Sequence, residues 1–113
     1  MHELGIVYQV IKAVDEVKAE QSLSEIKSIT LEIGEMSDVV PKFIGEAWSA
    51  VKSTTDYPNC DMIINVIPAV ARCKNCSFKD YVKNINFECP KCKSTDFEIV
   101  TGREFLIKEI CAK

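Results

Sequence analysis

The sequence predicts an α+β fold: a small domain of two helices and a three-stranded mixed sheet, with a four-cysteine zinc ribbon inserted into it. Three observations predict this. Apolar residues recur at helical spacing in two segments. They alternate, or run on without a break, in several short segments rich in branched side chains. Four of the six cysteines form two Cys-x-x-Cys pairs. A length of 113 residues is one domain's worth, or one small domain with an appendage.

Each element has its own signal. Leu4, Val7, Ile11 and Val14 recur every three or four residues and predict a helix over 4–19, with Lys12, Asp15, Glu16 and Lys18 mostly on its other side. Residues 21–25 interrupt it. Ile29, Leu31 and Ile33 alternate with Ser28, Thr30 and Glu32, which predicts a half-buried strand over 26–33, ended by Gly34. Ser37 and Asp38 are candidate caps for a second helix, with Pro41 in its first turn and Ile44, Ala47, Trp48 and Val51 as its apolar stripe. The nearly continuous run Met62–Ile67 predicts a central strand covered on both faces. Short strands are expected within 78–82, at 97–100 and at 104–110, the last two broken at Gly102. The last strand is too apolar to hang free, and two strands make a marginal sheet, so it is expected to return to the first two. The expected division is 1–69 plus 96–113 as one domain and 70–95 as the ribbon.

Charge supports a boundary near Ala69. Residues 1–69 carry five lysines against eleven acids, a net of −6, whereas residues 70–95 carry a net of +4. The overall charge of −3 argues against a general nucleic-acid binder. No apolar run approaches the roughly 18 residues of a bilayer span, and no secretory leader is apparent, so a cytoplasmic protein off the membrane is expected.

Cys73 and Cys76 are separated by two residues, as are Cys89 and Cys92, with twelve residues between the pairs. Such spacing lets two tight turns present four sulfurs to one tetrahedral ion, and four thiolates suit zinc. A full thiolate shell leaves no open position, so the site is expected to be structural. A core of some 25 residues does not fold on apolar burial alone, so the metal supplies its stability. Cys60 and Cys111 have no partner at metal spacing and read as buried, inert thiols.

The chain begins Met1-His2-Glu3, and His2 is its single histidine. The α-amine, the His2 amide and the imidazole can close adjacent chelate rings on one ion, and a square-planar nitrogen set favours nickel(II) or copper(II). Glu3 reads either as a helix-start acid or as a ligand or hydrogen-bond acceptor beside the metal.

Taken together, these residues resemble the HypA/HybF nickel-insertion proteins of [NiFe]-hydrogenase maturation. The resemblance covers the whole chain. It rests on Met1-His2-Glu3-Leu4, on Ile33-Gly34-Glu35, on the Cys73/Cys76 and Cys89/Cys92 pairs, and on the strand Gly102–Ile110. It implies a nickel metallochaperone, not an enzyme. The implied nickel ligands are His2, with Met1 and Glu3 contributing terminal or backbone nitrogens, and zinc falls to the four cysteines. Implied partners are the GTPase HypB and the hydrogenase large subunit, in some organisms the urease system as well, with the chain a monomer or weak homodimer.

Two other readings come from the residues. A zinc-ribbon adaptor for nucleic acid or protein would use the basic middle segment, with Phe78, Tyr81 and Phe87 interleaved. Among enzymes only a thiol oxidoreductase remains, since no phosphate loop, dinucleotide-binding glycine pattern or Ser-His-Asp set is apparent.

Overall fold

A computed structural model shows α1 at His2–Glu20, β1 at Ile26–Gly34, α2 at Pro41–Val51, β2 at Asp61–Ile67, β3 at Val70–Cys73, β4 at Lys79–Tyr81, β5 at Phe97–Thr101 and β6 at Phe105–Ala112. The structure describes residues 2–86 and 88–112, and at His2 the backbone alone. No helix among them is long and apolar enough to cross a membrane.

Two sheets form. The first is mixed, in the order β2-β1-β6, with β1 parallel to β2 and antiparallel to β6. Ile29, Leu31 and Ile33 of β1 are fully buried beneath Val7, Val10 and Val14 of α1 and Ile44, Ala47 and Trp48 of α2. Alternation in β1 and the three-to-four spacing in the helices thus meet in one core. The loop after α2 is tied to the helices at two points. Trp48 Nε1 donates to the Cys60 carbonyl at 3.0 Å, and the Tyr57 hydroxyl donates to the Asp15 carboxylate on α1.

Several expectations need correction. Strand β2 is an edge, not the centre, and it leaves Ile63 46% and Val66 51% exposed. Its continuous apolar run marks a strand but cannot rank its place in the sheet. The returning β6 takes the other side of β1, and so puts β1 in the middle. Ser37 and Asp38 do not cap α2. The N-cap is Val40, without a side-chain bond, and the Ser37 hydroxyl turns instead to the backbone of Val39. Residues 97–101 were expected with the main domain, but β5 pairs with β3 in the second sheet, of order β4-β3-β5. Gly102, at φ +114°, breaks the chain between β5 and β6, so the return begins only at Phe105.

Strand β6 pairs with β1 through a bulge. Glu109 lies opposite Thr30 and Ile107 opposite Leu31, which leaves Lys108 as the extra residue. Ile107 and Ile110 are three residues apart, an odd spacing that would place them on opposite faces of a regular strand. With the bulge both pack on the core, together with Phe105 and Ala112. Lys108 turns outward to Glu32, 3.6 Å away.

Candidate metal centres

The two Cys-x-x-Cys turns are copies of one backbone design. The N–H of Cys73 donates to the Phe78 carbonyl at 2.7 Å, and that of Cys89 to the Ser94 carbonyl at 2.8 Å. In the return direction, Ser77 N–H donates to Cys73 O and Lys93 N–H to Cys89 O, both at 2.9 Å. Each turn therefore closes through the residues four and five positions after its first cysteine. The residue four positions on must adopt a left-handed backbone, and Ser77 and Lys93 both sit at φ +66°. Sequence reasoning did not single out either residue. The one available signal was their equivalent place after each pair.

Strands β3, β4 and β5 hold the turns face to face. Cys73 ends β3, and the β3–β5 pairing carries an Arg72–Glu98 ion pair across it. All four Sγ atoms lie within 4.8 Å of one another, with Cys73–Cys92 and Cys76–Cys89 at 3.5 Å. Four sulfurs at about 2.3 Å from a tetrahedral ion would be about 3.8 Å apart, so this cluster is the right size for one such metal. Cys73 and Cys89 are fully buried and Cys76 is exposed.

The surroundings favour thiolate at part of the cluster. The Asn75 side chain and then the Ser94 backbone hold the Cys92 thiol down at about 6. Burial opposes ionisation of Cys89, but the backbone N–H groups of Cys92 and Lys91 outweigh it and lower its pKa. A backbone bond from Phe78 favours the Cys76 thiolate, yet desolvation and the three neighbouring sulfurs push it up to about 12. Four thiols this close do not all ionise without a cation between them, which is the chemistry of a thiolate metal site.

Part of the ribbon's positive charge is met by nearby acids. Arg72 pairs with Glu98, Lys74 approaches Asp96 at 3.8 Å, and Lys93 approaches Glu88 at 3.8 Å. Lys83 lies over the Tyr81 ring and Lys91 over the Phe78 ring. Phe78 and Tyr81, two aromatics of the nucleic-acid reading, thus carry lysines over their rings. Phe87, the third aromatic of that reading, lies outside the described residues.

At the other end, α1 begins at His2, and Glu3 in its first turn is 9% exposed. Met1 and the His2 side chain lie outside the described residues. The first N–H groups of any helix have no intrahelical acceptor. Amide nitrogens at this terminus can therefore bind a metal without breaking a helix hydrogen bond. Of the two remaining thiols, Cys60 is buried as expected, whereas Cys111 near the end of edge strand β6 is exposed.

The family described as "Hydrogenase/urease nickel incorporation, metallochaperone, hypA" matches residues 1–112. The chain belongs to the HypA family. It is accordingly a metallochaperone of hydrogenase maturation and not an enzyme. It is 30% identical over 111 residues to hydrogenase maturation factor HypA of Desulfatibacillum aliphaticivorans, covering 97% of this chain and 85% of the relative. It is 31% identical over 110 residues to HypA of Chlorobium limicola, covering 97% and 95%. The fold is that of a HypA protein solved in solution, with a TM-score of 0.74 at 21% identity, covering 100% of this chain and 97% of that one. The nickel metallochaperone HypA from Helicobacter pylori gives a TM-score of 0.65 at 20% identity, covering 97% and 96%.

Proposed function

We propose that the chain binds nickel(II) at its amino terminus and delivers it to the [NiFe]-hydrogenase large subunit in the cytoplasm. The His2 imidazole and the nitrogens of Met1–Glu3 form the site. The observation that carries this reading is the HypA family match over residues 1–112, which runs through the terminal motif and both cysteine pairs. Support comes from the chemistry of the terminus. An α-amine, free helix-start amides and an imidazole are nitrogen donors suited to nickel(II). A partner can remodel a site at a chain end at low cost, because little chain has to move with it. The proposed partners are a HypB-type GTPase and the large subunit, with urease as a second possible recipient.

Cys73, Cys76, Cys89 and Cys92 hold zinc as a structural ion in this reading. The two sheets suggest a division of labour: helices α1 and α2 with β2-β1-β6 carry the terminus, and β3–β5 form the metal-braced ribbon.

Nickel must displace amide protons and meet a neutral imidazole, so binding weakens as pH falls below about 6.5. Calorimetric nickel titration of untagged protein at pH 7.5 and 5.5 tests this, beside protein carrying an uncleaved N-terminal extension. Binding lost with the extension and weakened at the lower pH is the expected result. An affinity indifferent to both would refute a terminal nitrogen site.

A further inference from the structure

The chain crosses between the mixed sheet and the ribbon twice, outward at Pro68–Ala69 and back at Gly102–Glu104. Two bare tethers would leave the ribbon free to swing. A third segment, the turn that ends β1, bonds to both crossings. Gly34 N–H donates to the Glu104 carbonyl at 2.7 Å, Glu35 N–H to the Ile67 carbonyl at 2.8 Å, and Met36 N–H to the Gly102 carbonyl at 2.6 Å. Ala69 N–H donates to the Glu35 carboxylate at 3.0 Å.

The fit is close enough to exclude side chains. A Cβ on Gly34 would stand 2.1 Å from the Gly102 oxygen, and one on Gly102 would stand 2.6 Å from the Ala69 Cα. The residues gripped are themselves tied to the ribbon. Ala69 O accepts from Val82 N–H at 2.9 Å, and Pro68 O accepts from the Thr101 hydroxyl at 3.0 Å. The molecule is drawn out to 55 × 28 × 17 Å, with a radius of gyration of 17.9 Å. A compact chain of this length would have about 13 Å. The elongation is thus held by a joint rather than by a broad packed interface.

We infer that the Gly34–Met36 turn is a clamp that locks the ribbon to the helical layer in one orientation, with the Glu35 carboxylate as its positioning group. Glu35 is the side chain of the clamp that hydrogen-bonds to the outgoing crossing. The inference does not depend on which metal either site holds.

Residual dipolar couplings of the metal-loaded full chain test it. In the natural protein the amides of α1, α2 and the mixed sheet share one alignment tensor with those of β3–β5. In Glu35→Ala the ribbon couplings depart from the common tensor, while metal content and the thermal unfolding of the helices stay unchanged. Glu35→Gln keeps an acceptor oxygen and keeps the common tensor. Gly34→Ala pushes the turn off the return crossing at Gly102–Arg103 and gives the same loss of common alignment. Two tensors in the natural protein, or a single unchanged tensor in both Glu35→Ala and Gly34→Ala, would overturn the clamp.

Discussion

Tyr57 joins the loop after α2 to α1, and its chemistry shows in a pH profile. Burial first, and then the hydrogen bond to Asp15 and its charge, raise the Tyr57 pKa well above the ordinary tyrosine value. The unfolded phenol ionises near pH 10 while the folded one stays protonated, so the folded state binds more protons above that pH. Stability should therefore fall as pH rises past 10. Tyr57→Phe should lose about 1 kcal/mol at neutral pH and show a shallower fall above it. Urea unfolding at pH 7 and pH 10.5 checks both, and parallel losses in the two proteins would contradict the assignment. The two lone thiols differ just as plainly. Burial, and then the Asp61 charge, raise the Cys60 thiol, whereas Cys111 is open to solvent. Iodoacetamide should modify Cys111 in the folded, metal-loaded protein and reach Cys60 only after unfolding. Mass mapping that found Cys60 labelled first would contradict the packing described here.

At the scale of elements, legibility followed periodicity. Helices α1 and α2 and strand β1 were readable because their apolar residues repeat at 3.6 or 2 and meet in one core. The cysteine turns were readable because metal chemistry demands their spacing. What sequence did not show depends on partners distant in the chain. The edge position of β2 follows from the return of β6 beside β1. The bulge at Lys108 matters only because Ile107 and Ile110 must both reach the core. The place of β5 follows from β3 needing a second neighbour. Left-handed Ser77 and Lys93 were hidden because neither residue type advertises that backbone. The ribbon strands have only three to five residues each, and few of their side chains are fully buried. Stripping the metal with a strong chelator should therefore remove amide-exchange protection from β3–β5 while the helical signal at 222 nm persists. Helices lost in step with the metal would show that the mixed sheet cannot stand without the ribbon.

On the scale of the whole molecule, two chemistries are kept at separate places. One is a closed cluster of soft sulfurs inside a ribbon, a set suited to a single tetrahedral ion. The other is a chain end where a helix starts with amides that have no helical acceptor. The family match spans both places, and the Gly34–Met36 turn hydrogen-bonds across the junction between the two sheets. Nickel should bind at His2 and not among the cysteines. Native mass spectrometry of untagged, zinc-loaded protein titrated with nickel tests it most directly, beside His2→Ala. One nickel per chain in the natural protein, absent from the variant while zinc stays bound in both, is the predicted result. Equal nickel uptake by the two proteins, or nickel gained only as zinc is lost, would contradict the account.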